Sequence, residues 1–234
     1  MLRTMDPKPA PLDLPPSPAP LLDYHLLDPA LTFEQVADGC RLATELGLRA
    51  VVVRPCDVQL AAQWMAGSSV RLCSTAGFPD GTSTTAVKLY ELRDLLRLGA
   101  KEVELYLNPA LLLSRSFQHV ETELLQASES CRNSGTRLIV AFGSHPFSED
   151  VKIICTKIAK RVEAAAISLP YSEANTVLLK PLLKDVLTLK SAAGAESFQQ
   201  VETLRAAGWS STVAADPAGI LAEWKAVVTP NVTS

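Results

Sequence analysis

"VRLCSTAGFPDGTSTTAVKLYELRDLLRLGAKEVELYLN", residues 70–108, holds a whole strand–helix–strand pattern. It opens on an apolar β-type run at 70–77 and closes on another at 102–108. Between them lies an amphipathic helical stretch. Ser83 or Thr84 stands where a helix N-cap belongs, and Gly99 stands where a left-handed C-cap ends a helix. The parity of the second strand is informative. Val103 and Leu105 face one side, and Glu102 and Glu104 face the other. A carboxylate on the inner face of such a strand is costly unless paired.

The same unit recurs from Leu21 onward. Strand-like runs stand at "LLDYH", "RAVVVRP", "VRLCSTAG", "EVELYLN", "RLIVAFG", "AAAISLP", "VLTLKSA" and "SSTVAA". Helical patterns lie between them. "TFEQVADGCRLATELG" has Thr32 as N-cap and Gly47 as stop, and Asp216 with Pro217 forms a cap-plus-N1 pair. Strand and helix candidates alternating in this way predict an α/β fold, a (β/α)8 TIM barrel, for which 234 residues is a suitable length. The rival, an open doubly wound sheet, needs fewer units. No Gly-rich dinucleotide or P-loop pattern follows any strand.

The barrel is expected over 21–228 as a single domain, with a C-terminal tail at 229–234. Residues 1–20 are thick with proline and read as a disordered tail, or as a ligand for a proline-binding protein partner. This segment lacks the apolar core of a signal peptide. The formal charge of −3 gives no electrostatic footprint for nucleic acid, and no apolar run is long enough to span a bilayer. Five cysteines without a C-x-x-C pair read as reduced, mostly buried thiols of a cytoplasmic protein. No metal or organic cofactor is expected.

In a barrel, function sits at the C-terminal ends of the strands. Lys190 is the one lysine at such a tip. It can form a Schiff base with a carbonyl compound, or it can sit in water. Asp23 alternates with apolar neighbours and can point inward to meet it, as can Glu104. His25 is a site residue or a core histidine, His119 lies within a helix, and His145 lies in the loop after strand five. No phosphate cradle stands out. Strand eight ends "TVAADPAG", which puts Asp216 where a phosphate would be repelled.

These segments resemble the deoxyribose-phosphate aldolase family, class I aldolases with a (β/α)8 barrel. "GFPDGTSTTAVKLYE" (77–91) resembles the family's strand-three loop and following helix. "LLDYHLLDPALTFEQV" (21–36) resembles its Asp-His-Thr-Leu-Leu opening, "LGAKEVELYLNPALL" (98–112) its strand-four segment, and "LTLKSAAG" (187–194) its Lys-x-x-Gly-Gly segment of strand seven. The likeness runs from about 21 to 226 and is stronger in the first half.

The resemblance implies cleavage of 2-deoxyribose 5-phosphate to acetaldehyde and glyceraldehyde 3-phosphate. A strand-six lysine in a Lys-Thr-Ser-Thr-Gly motif forms the Schiff base, a strand-seven lysine tunes it, and a strand-four aspartate relays protons. The pattern departs from this. Strand six reads "AAAISLPYS", so the Schiff-base position falls on Ile167, or on Ala166 or Ser168 if the register moves by one. The strand-four aspartate becomes Glu104, and the strand-eight phosphate turn becomes Val213, Ala214, Ala215 and Asp216. Lys190 and Asp23 survive as a remnant site.

Three functions follow. The first is an aldolase-like pseudoenzyme, inactive or redirected to a binding role, with no family-type lyase activity. The second is an altered Schiff-base aldolase that uses Lys190 on an unphosphorylated carbonyl or sugar ligand. The third is an ordinary deoxyribose-phosphate aldolase. A homodimer is the assembly that the resemblance implies.

Overall fold

The computed structural model describes residues 15–183 and 186–229. Eight strands close in sequence order into one parallel barrel, which excludes the open sheet. They are β1 (Leu22–Leu26), β2 (Ala50–Val53), β3 (Arg71–Ala76), β4 (Glu102–Tyr106), β5 (Arg137–Ala141), β6 (Ala166–Leu169), β7 (Thr188–Ala195) and β8 (Ser211–Ala214).

The helices alternate with them: α1 (Phe33–Leu46), α2 (Val58–Trp64), α3 (Thr85–Leu98), α4 (Pro109–Leu113), α5 (Phe117–Asn133), α6 (Glu149–Arg161), α7 (Glu173–Leu183), α8 (Phe198–Ala206) and α9 (Pro217–Val228). None among the described residues is long and apolar enough to cross a membrane.

Local chemistry sets the boundaries. Thr32 and Gln35 form a reciprocal capping box at the start of α1, and Gly47 ends it in the left-handed region. Thr84, not Ser83, caps α3, and Gly99 ends it with φ 107°. The Asp216 carboxylate accepts from the Gly219 N–H at 2.9 Å, with Pro217 in the first turn of α9.

Strand parity divides the core into two regions. Val51, Val53, Leu72, Val103, Leu105, Val140, Ile167 and Leu189 form an outer apolar layer with the helices. Neighbouring strands pair Asp23 with Ala50, Thr75 with Glu104, Glu104 with Ile139, and Ser168 with Lys190, and this set faces the barrel axis. The layer of Val103 and Leu105 against the axis of Glu102 and Glu104 matches the alternation of the sequence. A buried ion pair lies outside the barrel wall. Lys88 of α3 meets Glu123 of α5 at 2.6 Å, and its ammonium also donates to the Tyr106 carbonyl at 2.9 Å.

The packed chain begins before Leu21. The Pro15 carbonyl accepts from the Trp224 indole, and Arg205 donates to the carbonyls of Pro16 and Ser17. Of the tail expected over 1–20, residues 1–14 lie outside the described residues, as do 230–234. Four of the five free cysteines are buried, and Cys56 is exposed.

Candidate functional site

A chain of buried charges runs along the barrel axis. Lys190, 1% exposed, places its ammonium 2.8 Å from Asp23 Oδ2 and against Glu104 Oε1. Asp23 also receives the Arg49 guanidinium, whose Nη2 donates to Asp23 Oδ2 at 2.7 Å. The same guanidinium reaches Glu102, with Nη2 to Oε1 at 2.7 Å and Nη1 to Oε2 at 3.1 Å. Charge therefore alternates as Glu102, Arg49, Asp23, Lys190, Glu104. The structure brings Asp23, Glu104 and Lys190 together, as the parity of their strands predicts. The lysine is not solvated.

Each member controls the next. Burial alone would raise the Asp23 pKa, but Lys190 and Arg49 outweigh it and hold the carboxyl at about 2. Burial alone would push the Lys190 ammonium down, but Asp23 and Glu104 outweigh it and push it up. Lys190 is thus a fixed cation at neutral pH. Burial lowers the pKa of His25 further than the Glu104 carboxylate raises it, so its imidazole is neutral at pH 7. Burial, then the Glu104 carboxylate, raises the pKa of the Tyr106 phenol, which stays a hydroxyl donor.

Above this chain the C-terminal mouth opens into a cavity of about 500 Å³. His25, Glu104, Tyr106, Ser144 and Ser168 supply its polar wall. Leu27, Phe78, Pro79, Pro170, Ala192 and Ala193 supply its apolar wall. Phe78 meets Tyr106 edge to face, with ring centroids 5.3 Å apart. Lys190 is not among the lining residues and lies beneath Glu104, the sole charged side chain of the wall. The His25 Nε2 and Thr75 Oγ1 atoms are buried without a hydrogen-bond partner among the described residues. His25 lines the cavity, and a buried polar atom that faces a cavity without a partner is a place for a ligand atom.

Ile167 does not face this cavity. It pairs with Val140 and Leu189 and packs in the outer apolar layer. Ser168, beside Ala141 and Lys190, is the strand-six residue that turns inward and lines the mouth. Ile167 therefore faces outward, and Ser168, the alternative one residue on, faces inward, since one residue along a strand reverses the face. His119 is exposed and bonds Thr85 Oγ1, and His145 packs on Phe147 with ring centroids 5.0 Å apart. Neither joins the site. Arg49 and Tyr106 were not singled out by the sequence, and Ser168 stood only as an alternative to Ile167; Arg49 precedes a strand, where an arginine reads as a rim residue.

The described residues hold no cluster of His, Cys, Asp or Glu arranged for a metal ion. The next polar cavity, beside β7 and α8, is lined by Tyr171, Ser191, Ala193, Gly194, Ala195, Gln200, Thr203 and Leu204, without a cation. Asp216 is committed to capping α9.

Fold and site together define a (β/α)8 barrel with a buried lysine held between two carboxylates below its C-terminal mouth. No family model matches the chain. It is 25% identical over 215 residues to a deoxyribose-phosphate aldolase of Caldanaerobacter subterraneus, covering 88% of this chain and 93% of that protein. It is 29% identical over 198 residues to the enzyme of that name from Trichormus variabilis, covering 81% and 85%. Among solved structures, the tetrameric deoxyribose phosphate aldolase of Aeropyrum pernix superposes with a TM-score of 0.79 at 22% identity, covering 89% and 91%. The chain is a divergent homologue of the deoxyribose-phosphate aldolases.

Proposed function

We propose that this barrel is a redirected, aldolase-like pseudoenzyme. In this reading its mouth holds a small uncharged carbonyl compound or sugar and performs no imine chemistry. One observation carries the reading: the mouth cavity is lined by no lysine or arginine, and its only charged group is Glu104. An imine needs a free amine, and a phosphate monoester needs cations or a bank of backbone donors. No amine or guanidinium lines this cavity.

Three further facts support it. Ser168, on the strand that carries the Schiff-base lysine in the resembling family, has no amine. Lys190 is fixed as an ammonium by two carboxylates, and its lone pair is not available for attack. The Glu104 carboxylate repels a phosphate dianion. What remains suits a neutral ligand: the unpartnered His25 Nε2, the Ser144 and Ser168 hydroxyls, and apolar walls from Phe78 and Pro79. The reading includes a cytoplasmic setting, which the free buried thiols support, and a homodimer, for which the tetrameric relative offers only general support.

Turnover of 2-deoxyribose 5-phosphate tests it. Loss of an activated nucleophile costs on the order of 10⁶-fold in rate, so no cleavage above background is expected. A kcat of roughly 1 per second or more overturns the reading.

A further inference from the structure

The opposite end of the barrel carries a second polar cavity that the reading above does not use. It has a volume of about 200 Å³ and lies where β3, β5, β6, β7 and β8 begin. Its wall includes Arg49, Arg71, Arg137, Lys190, Ser210 and Ser211. We propose that this N-terminal mouth is a binding site for a small tetrahedral oxyanion of the phosphate class.

The donor inventory is the first argument. A guanidinium has five N–H donors and no acceptor. Arg49 is nearly saturated, since both of its edges are spent on Asp23 and Glu102. Arg137 spends only its Nε, at 3.3 Å from Glu102 Oε2, and leaves both terminal nitrogens free. Arg71 makes no side-chain hydrogen bond or ion pair with another described residue, nor does the Ser211 hydroxyl make a hydrogen bond. Two guanidinium forks and a hydroxyl therefore border one small cavity with no protein acceptor among the described residues. Planar forks of this kind match the oxygen spacing of phosphate and carboxylate groups.

Charge is the second argument. The axial network and its lower rim hold Arg49, Arg71, Arg137 and Lys190 against Asp23, Glu102 and Glu104. Four cations against three carboxylates leave one positive charge unmatched, and it falls at the rim, where Arg71 stands. The carboxylates are all buried, and Glu102 already serves Arg49 and Arg137. An external anion is the missing partner. Room is sufficient, since a water in the liquid takes about 30 Å³. The rim is open to solvent: Arg71 is exposed, and the Arg137 side chain is 45% exposed.

The site differs from the phosphate sites that barrels build at their C-terminal face from loops and helix N-termini. It is made of side chains at strand beginnings. It is also tied to the mouth cavity by the ion-pair chain, because Arg137 and Arg49 share Glu102 while Arg49 and Lys190 share Asp23.

Inorganic phosphate is the probe, titrated into the full chain at pH 7 and constant ionic strength. Calorimetry reads the affinity, and the thermal midpoint reads the linked stabilisation. Wild type should show saturable binding with one site per chain. Arg71→Ala with Arg137→Ala should weaken it by about a hundredfold, because each lost hydrogen bond to a charged group is worth roughly a factor of ten. Both positions are exposed, so the variant folds, and Arg71→Ala alone provides a milder second case with about a tenfold loss. Ala193→Trp, which obstructs the C-terminal mouth, should leave phosphate binding unchanged. The proposal fails if wild type binds no phosphate, if the arginine variants bind it as tightly as wild type, or if Ala193→Trp abolishes it.

Discussion

Lys190→Met is the perturbation that best probes the axial network. Methionine keeps the length of the side chain and removes its charge. Asp23 retains Arg49, but Glu104, 1% exposed, has no other cation within salt-bridge distance among the described residues. Breaking a buried pair from one side costs about 3–5 kcal/mol, because an uncompensated charge stays inside. For a barrel of this length, each kcal/mol moves the thermal midpoint by about 2–4 °C. The expected drop is therefore roughly 6–20 °C by differential scanning calorimetry at pH 7. Lys190→Met with Glu104→Gln removes both charges and should recover part of that loss, with a coupling above about 1 kcal/mol in the double-mutant cycle. A midpoint within about 2 °C of wild type, or a double variant no more stable than Lys190→Met alone, refutes the idea that this pair is the network's upper clasp.

Acid should weaken the fold through Asp23. Its folded pKa of about 2 lies below the unfolded value, so the contribution is present above about pH 4 and is lost as pH falls toward 2. The amount, about 2–3 kcal/mol, should be absent from the urea-unfolding pH profile of Asp23→Asn. Lys88→Met removes the buried cation beside Glu123 and should cost about 3–5 kcal/mol in the same urea assay, with no effect on ligand binding at the mouth. Ser168→Lys puts an amine on the inward face of β6 next to Lys190. Two adjacent amines resist double protonation, so borohydride should trap acetaldehyde on residue 168 in that variant, whereas Ile167→Lys should be destabilised and trap nothing there.

Much of this was legible in the residues. The alternation of Glu102 and Glu104 with Val103 and Leu105 gave both the strand and its inner face, because the outer layer needs apolar side chains and the axis does not. Thr32, Gly47, Gly99 and Asp216 marked helix ends for reasons of backbone chemistry that need no tertiary contact. Strand six was different. "AAAISLP" carries a single polar residue, Ser168, between Ile167 and Leu169, too little alternation to fix its parity. Pairing with Ala141 and Lys190 decides that Ser168 turns inward. The role of Arg49 was equally hidden, since its partners lie 26 and 53 residues away. A faint signal existed in "RAVVV", "RLCST" and "RLIVA": three strand-like runs open with arginine, and these are the three arginines that gather at the N-terminal mouth.

The absence of imine chemistry is the central claim, and reductive trapping tests it most directly. Wild-type protein is incubated with acetaldehyde and borohydride at neutral pH and digested, and the peptide containing Lys190 is quantified by mass. Exposed lysines such as Lys101 and Lys157 supply the background level of ethylation. Lys190, buried and held as an ammonium between Asp23 and Glu104, should fall below that background. Stoichiometric ethylation of Lys190, ahead of the exposed lysines, would show an active amine in the barrel and contradict the account.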